Sequence, residues 1–191
     1  MNSANRPDLG GSISAIHALA QEYAVATADA AKPSLYEPLS FLLAQVRQLL
    51  SMDVAFVSRF MDRKRLFEVV SIEGDAIAGL AAGDSDPLLD TYCQRIVDGR
   101  LPRVIRDTAQ YEDASLLAVT QTLQIKAYLS APVLLKNGTV FGTVCCISHK
   151  ARLDLREADA AALQAVADAV ARSVDSRLEK LRYVSFAAPG T

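Results

Sequence analysis

The sequence lacks tryptophan and has only two histidines and three cysteines among its 191 residues. Metal sites need clustered ligands, and neither the cysteines nor His17 and His149 are spaced as a cluster, so we predict no metal site. Two histidines so far apart also give no basis for a Ser-His-Asp arrangement. Cys145 and Cys146 are adjacent, and neighbouring strand residues point to opposite faces, so a bridge between them is not expected. Three reduced thiols indicate a cytoplasmic protein.

Charge of one sign and long apolar runs are also missing. The chain carries 20 basic and 22 acidic residues, a formal net charge of −2, which creates no basic field for nucleic acid. Uncharged stretches such as Ala114–Ile125 are too short and too polar to span a membrane. The first residues, MNSANRPDLGGS, lack the basic and apolar regions of a secretory signal. We therefore predict no nucleic-acid partner and no membrane partner.

The composition is that of a single domain. With 51% hydrophobic residues, a chain of this length can bury one full core. We predict that residues 1–11, which are polar and contain proline and glycine, are disordered. Residues 12–186 then form the domain and residues 187–191 a flexible tail. Apolar residues at helical spacing predict two N-terminal helices, over Ser12–Ala30 and Leu35–Leu49.

The rest of the chain predicts mostly strands. Two apolar runs flank Asn137-Gly138, which indicates a hairpin over Ala127–Ser148 with a two-residue turn and positive φ at both turn positions. Neither run alternates, so this hairpin should lie in the middle of the sheet, covered on both faces. Tight turns between strands predict an antiparallel sheet with helices on one side, an α+β fold. The other predicted elements are a first hairpin (Val54–Phe60 and Leu66–Ile72), a loop (Glu73–Ser85), a helix opened by Asp86-Pro87 and ended by Gly99, a short strand (Leu101–Arg106), a segment of loop and short helix (Thr108–Gln124), and a final helix capped by Asp154-x-x-Glu157.

Three stretches carry a resemblance to a known family. The letters YLSAPVLL, NG and VFGTVCCIS within Ala127–Ser148 resemble the central hairpin of GAF domains, the small ligand-sensing modules of signalling proteins. The first hairpin and Thr91–Asp107 (TYCQRIVDGRLPRVIRD) are similar to further parts of that family, so the resemblance spans about Leu35–Leu181. It implies a GAF/PAS-like central antiparallel sheet, terminal helices packed on one face, and a ligand cavity on the other. It also implies a sensor that relays a signal through its terminal helices to a partner or output protein.

The resemblance suggests where the ligand pocket lies. Alternation along the strands places Phe56 with Ser58, and Tyr128 with Ser130, and the Ser58 side is the one that faces the cavity in similar domains. Aromatic walls with a few hydroxyl groups suit a small apolar or ring-shaped ligand. The alternative is that these side chains simply fill the core. The candidate pocket residues are Phe56, Ser58, Tyr92, Cys93, Tyr128, Ser130 and Cys145.

Cys93 is the residue most open to a catalytic interpretation. Free methionine sulfoxide reductases, which are GAF enzymes, have a cysteine near this point and need a second one, just before the central hairpin, to resolve a sulfenate. Asp107–Lys126 contains no cysteine, and we identify no cationic neighbour that would favour the thiolate of Cys93. We therefore interpret Cys93 as a buried, inert thiol and predict no catalytic residue. A small redox enzyme of the reductase type is the alternative function.

The resemblance also raises cofactors, and the ligand itself stays unknown. Cyanobacteriochromes attach bilin through a Cys-His pair at a fixed distance before the hairpin proline, and counting back from Pro132 gives Ser115-Leu116. His149 follows the last strand and offers a poor haem ligand. We therefore expect neither bilin nor haem. The Asn-Lys and Asp-Glu pairs typical of GAF domains that bind cyclic nucleotides are absent from the sequence.

The final helix predicts a homodimer. Its apolar residues, from Leu155 to Leu181, recur about every 3.7 residues, close to the period of a straight helix. A stripe of this length exceeds what one small sheet can cover, so its C-terminal end should pack against a second copy. A competing possibility is that the helix Ser12–Ala30 folds back and covers the stripe within one chain. A dimerisation module that binds no ligand is the third candidate function.

Overall fold

The computed structural model describes residues 9–28, 36–75, 77 and 79–187. The described residues do not include 1–8 and 188–191, which make up most of the predicted disordered segment and tail. They also do not include positions 29–30 and 35 of the predicted helices. The helices are α1 (Leu9–Ala28), α2 (Tyr36–Leu49), α3 (Tyr92–Val97), α4 (Glu112–Ser115), α5 (Ala118–Thr122) and α6 (Glu157–Ala187). The strands are β1 (Val54–Met61), β2 (Lys64–Ile72), β3 (Ser85–Pro87), β4 (Val104–Ile105), β5 (Ala127–Leu134) and β6 (Val140–Ser148). Short 3-10 turns occupy Leu88–Asp90 and Thr108–Gln110.

The strands form one antiparallel sheet in the order β3-β2-β1-β6-β5-β4. The central pair, β1 and β6, comes from two different hairpins, and β5 and β6 are buried along most of their length. The prediction that Ala127–Ser148 lies inside the sheet is therefore confirmed. Helices packed on an antiparallel sheet also confirm the α+β fold.

Each face of the sheet carries its own hydrophobic core. Ala55 and Val57 of β1 pack with side chains of α1, α2 and α6, whereas Phe56 between them packs with side chains of α3 and α4. Cys146 and Cys145 divide in the same way, with Cys146 on the helix side. This division follows from the two-residue period of a strand. The two cores together stabilise the fold, since each buried large apolar side chain contributes about 1.5–3 kcal/mol.

The turn at Asn137-Gly138 differs from the prediction. Gly138 has a φ of +82°, but Asn137 is not among the residues with positive φ. The amide of Gly138 donates to the carbonyl of Leu135, and that of Leu135 donates to the carbonyl of Thr139. This is a three-residue hairpin loop in which the glycine supplies the left-handed position. The two-residue turn with both φ values positive occurs instead between β1 and β2, at Asp62 (51°) and Arg63 (62°).

The helix predicted to start at Asp86-Pro87 begins later. Asp86 and Pro87 belong to β3 and pair with Arg65 and Lys64 of β2, so the pairing of an edge strand overrides the N-cap signal. The N-cap of α3 is Thr91, whose Oγ1 accepts a hydrogen bond from the amide of Gln94 at 3.2 Å.

The ends of two other elements also shift. The strand predicted over Leu101–Arg106 contracts to Val104–Ile105. The long helix α6 begins at Glu157, and the amide of Arg156 donates a hydrogen bond to Oδ2 of Asp159 at 2.8 Å in its first turn. Within the described residues, no helix combines the length and the apolar character needed to cross a bilayer.

Gly142 fixes the closest approach between β1 and β6. It pairs with Arg59, and a Cβ atom at this position would stand 1.9 Å from the carbonyl oxygen of Ser58. No side chain fits there without moving one of the two central strands. The small residue therefore determines how tightly the hairpins join.

We predict that Gly142→Ala lowers the free energy of unfolding by about 1–3 kcal/mol, because overpacking in a well-packed core forces the backbone to shift. Urea denaturation followed by circular dichroism measures the change. Gly11→Ala, an exposed helical site, is the matched control and should leave stability unchanged or raise it by up to about 1 kcal/mol. Equal stability of Gly142→Ala and the wild type would contradict the prediction.

Candidate functional site

The structure brings the predicted pocket residues together on the sheet face opposite the terminal helices. Phe56, Tyr92, Cys93, Tyr128 and Cys145 belong to one buried cluster. The two serines join it through hydrogen bonds, Ser130 to Cys145 at 3.3 Å and Ser58 to Thr143 at 2.9 Å. Each of the seven predicted residues is 0% exposed. Thr143, which the sequence analysis did not select, completes the set. We call this set of eight residues the buried cluster.

Strand register explains why these side chains meet. Phe56 of β1 lies opposite Cys145 of β6, which lies opposite Ser130 of β5, so the three form one row across the sheet. Ser58 and Thr143 form the next row on the same face, two residues further along their strands. The predicted pairing of Phe56 with Ser58 on one face therefore agrees with the observed register.

The short helix α3 closes the cluster from above. Tyr92 stacks on Tyr128 with ring centroids 4.6 Å apart and an interplanar angle of 20°. The hydroxyl of Tyr92 lies 2.6 Å from Oγ1 of Thr120, which connects α3 to α5. Cys93, the next residue, places its Sγ 3.4 Å from the hydroxyl of Tyr128 and 3.8 Å from Sγ of Cys145.

Arg65 is the residue that the sequence analysis missed. Its side chain is 3% exposed, forms a salt bridge with Asp86, and lies over the ring of Phe67 at 4.3 Å from the centroid. Its Nη1 is 3.8 Å from Sγ of Cys93, and its buried Nε has no hydrogen-bond partner among the described residues. A signal existed in the sequence, because alternation puts Arg65 on the same side as Phe67. The prediction that β2 begins at Leu66 excluded it.

Arg65 overturns the expectation that Cys93 has no cationic neighbour. Burial by itself raises the pKa of Cys93, but the hydrogen bond from Cys145 and the charge of Arg65 outweigh burial and hold that pKa well below its usual range. Burial and the neighbouring Cys93 raise the pKa of Cys145. On the other sheet face, burial raises the pKa of Cys146 to about 12, against a smaller opposing effect of Arg47. The cluster thus favours one thiolate, on Cys93.

The same electrostatics affect Tyr128. Burial, followed by the charges near Cys145 and Cys93, raises the pKa of its phenol, and Arg65 opposes this. Tyr128 therefore stays a phenol and can donate a hydrogen bond to the sulfur of Cys93.

A surface depression of about 530 Å³ lies beside the cluster. Asp86 is part of its wall and also contacts Arg65, so this ion pair separates the depression from the buried side chains. None of the seven predicted pocket residues lines the depression, and their side chains close against one another. Residues of the predicted loop segments Glu73–Ser85 and Thr108–Gln124 make up most of its lining. Its lining residues are Gly79, Asp86, Pro87, Asp90, Arg95, Leu116, Leu117, Ala118, Val119, Thr122 and Leu123.

The residues considered for cofactors lie outside the buried cluster. Ser115 and Leu116 are exposed at the end of α4. His149 follows β6, and its Nδ1 is 3.9 Å from Oδ2 of Asp53, away from the buried cluster. Among the described residues, no group of three or more His, Cys, Asp or Glu side chains is placed to hold a metal ion.

The family model of the GAF domain matches residues 35–174. The chain belongs to the GAF domain family. This confirms the resemblance read from the central hairpin. A search of curated proteins returned no match.

Solved structures of GAF domains share the fold. The phycoerythrobilin-bound GAF domain of a cyanobacterial phytochrome is 18% identical with a TM-score of 0.65, covering 91% of this chain and 98% of its own. A protein described as a GAF sensor from Burkholderia vietnamiensis is 16% identical with a TM-score of 0.64, covering 89% and 98%. Free methionine-R-sulfoxide reductase from Neisseria meningitidis, solved with its substrate, is 12% identical with a TM-score of 0.65, covering 94% and 96%. At these identities the likeness concerns the fold alone.

We predict that the native protein at neutral pH shows the ultraviolet absorbance of a thiolate in addition to that of its aromatic side chains. Cys93→Ser should remove this thiolate absorbance. Because the pKa of Cys93 is lower in the folded state, its stabilising contribution is present above the unfolded pKa and is lost as the pH falls through the folded pKa. A pH titration of the absorbance and of the free energy of unfolding measures both effects. Cys146→Ser is the control and should not change the absorbance, since the pKa of that thiol is about 12. An unchanged absorbance in Cys93→Ser would contradict the assignment.

Proposed function

We propose that this GAF domain is a sensor that binds a small molecule in the depression at the edge of the buried cluster, where it meets Arg65, and reports binding through its terminal helices. The observation that carries this proposal is Arg65, a buried cation with an unpartnered Nε. An unsatisfied buried polar group costs about 1–3 kcal/mol, more when it is charged. A ligand acceptor placed on this nitrogen would remove that cost.

The chemistry of the cluster suggests the kind of ligand. A guanidinium group binds planar acceptors, above all carboxylates, with paired hydrogen bonds. Beside it, the apolar side chains of Leu117, Val119 and Leu123 in the depression suit an apolar or ring-shaped body. We therefore propose a small molecule with an acidic group and a ring.

The ligand would reach Arg65 from the depression beside Asp86. The side chain of Asp86 is 37% exposed, so separating it from Arg65 exposes the guanidinium group to the depression without unfolding the sheet. Asp86 in this view occupies part of the ligand's place until the ligand arrives.

The central strands connect the cluster to the terminal helices. β1 presents Phe56 to the cluster and Ala55 and Val57 to the helix core, and β6 divides Cys145 and Cys146 in the same way. A ligand that displaces either strand must therefore alter the packing of α1, α2 and α6. We propose that a separate partner or output protein reads this change. The three free cysteines support a cytoplasmic location.

A small redox enzyme of the methionine sulfoxide reductase type is the second candidate. The proximity of Cys93 to both Arg65 and Cys145 supports it. An assay with free methionine sulfoxide and a reducing partner tests it directly, since the enzyme would lose its activity in Cys93→Ser.

We predict that native mass spectrometry of freshly purified protein detects a bound small molecule, and that Arg65→Gln purifies without it. Arg65→Lys keeps the charge but not the paired hydrogen bonds, so it should retain less ligand than the wild type. Arg100→Gln is the control, because that arginine is exposed and pairs only at the surface with Asp98. Retention of the same molecule by a folded Arg65→Gln would sink the proposed site.

We also propose a homodimer through the end of α6. In the chain, α1 folds back on α6 and buries Ile16, Ala20 and Tyr23, so the competing arrangement covers part of the stripe. Leu178 and Leu181 nevertheless remain 40% and 66% exposed. Both line a groove of about 220 Å³, which a second copy could fill.

Multi-angle light scattering at micromolar concentration should give twice the chain mass of 20.5 kDa. Replacing Val174 and Leu178 by Glu should yield the monomer, because charges at a helix interface stay hydrated and oppose its burial. Leu153→Glu, at an exposed site outside the groove, should remain dimeric. A wild-type mass near 20.5 kDa would rule the dimer out.

A further inference from the structure

We propose that Cys93 and Cys145 are a redox pair that a hydroperoxide converts into an intramolecular disulfide. The two Sγ atoms lie 3.8 Å apart, although the residues are separated by 52 positions in the chain. A disulfide bond is about 2 Å long, so side-chain rotation must bring the sulfurs closer. The reaction does not require the ligand proposed above, although Arg65 serves both sites.

The surroundings assign different roles to the two sulfurs. Sγ of Cys93 lies 3.8 Å from Nη1 of Arg65 and 3.4 Å from the hydroxyl of Tyr128, which places a cation and a donor beside it. Sγ of Cys145 lies 3.3 Å from Oγ of Ser130 and 3.2 Å from Oγ1 of Thr143. Cys93 is therefore the sulfur that reacts first, as a thiolate, and Cys145 is the thiol that follows.

The chemistry balances with hydrogen peroxide as the oxidant. The Cys93 thiolate attacks one peroxide oxygen, the O–O bond breaks, and the departing hydroxide takes up a proton and leaves as water. This leaves a sulfenic acid on Cys93. The sulfur of Cys145 then attacks the sulfur of Cys93, the S–O bond breaks, and a second water leaves with the proton of Cys145. Two thiols and one peroxide become one disulfide and two waters.

Access runs through the ion pair of Arg65 and Asp86. Both sulfurs are fully buried, and the side chains between them and the depression include the guanidinium group that contacts Cys93. Hydrogen peroxide is small enough to enter during a local opening of this pair, without unfolding the sheet. The observed rate then depends both on how often this pair opens and on the thiolate fraction of Cys93, so weakening the pair while keeping Arg65 should speed the reaction.

The disulfide would join α3 to β6. Cys93 is the second residue of α3, and Cys145 lies in a central strand. Because Tyr92 beside Cys93 stacks on Tyr128, the bond would hold the helix that closes the cluster against the sheet. The oxidised protein should then protect the amides of α3 from hydrogen exchange more than the reduced protein does.

Cys146 is an internal control. It is as buried as Cys145 and adjacent in sequence, but it belongs to the core on the helix side of the sheet. A reaction set by burial or by general oxidation would treat the two alike. A reaction set by the Cys93 site must select Cys145.

The experiment exposes the reduced protein to one equivalent of hydrogen peroxide, quenches with an alkylating agent in denaturant, and maps tryptic peptides. Cys145 and Cys146 share one peptide, so the link is assigned by fragmentation and by single variants. We expect a Cys93–Cys145 link within one chain, reversed by dithiothreitol. The link should persist in Cys146→Ala and disappear in Cys93→Ala and Cys145→Ala.

Rates supply a second test that does not depend on the cysteine variants. Arg65→Gln removes both the ion pair and the cation beside Cys93, so its signature is the pH profile. The rate should reach half its maximum at a higher pH than in the wild type, because the pKa of the thiol rises without the cation. Faster opening alone would change the rate of disulfide formation equally at every pH. Asp86→Asn should speed it, and Arg100→Gln should leave it unchanged. A link to Cys146, a link between chains, or conversion of Cys93 to sulfinic acid without any link would each overturn the proposal.

Discussion

A guanidinium group withdrawn from water needs anions, acceptors or aromatic faces nearby, and the sheet face around Arg65 supplies all three. Asp86 provides the carboxylate, Phe67 the ring, and Cys93 the sulfur. Removing Asp86 would leave a buried cation without its carboxylate, which is unfavourable even though Asp86 itself is partly exposed. The positions of β3, α3 and the sulfur atoms are therefore tied to one side chain, although that side chain contributes little to the hydrophobic core.

The central pair of strands makes the two cores of the domain interdependent. Neighbouring residues such as Phe56 and Val57 of β1, or Cys145 and Cys146 of β6, belong to opposite cores, so a shift of either strand affects both faces. Interiors are close-packed, and a shift on one face is transmitted to the other because there is little free volume to absorb it. At Gly142 there is no room for a Cβ atom between these strands, which strengthens that connection.

The sequence predicts the sheet and its faces well because both depend on local periodicity. The apolar runs around Asn137 gave the central hairpin, and alternation placed Phe56 and Ser58 on the cluster side. Contacts between distant segments were beyond the same reasoning: nothing in the spacing of Cys93 and Cys145 shows that β6 passes beneath α3. Asp86-Pro87 was misread because an N-cap signature is equally compatible with an edge strand, and pairing with β2 decided between the two.

The direction in which Arg65 points depends on a count of residues. A two-residue turn at Asp62 and Arg63 fixes one end of the first hairpin. A register shift opposite Val57 and Ser58 fixes the other end of the hairpin. There, Glu68 is an extra residue between Phe67 and Val69. Between these points each residue takes the face set by its parity. One inserted residue would turn the guanidinium group toward the helices, and a second would restore it. The position of the Arg65 charge beside the buried cluster thus depends on the number of residues in this hairpin as well as on the partners of the charge. The fold should therefore tolerate insertions here only in pairs.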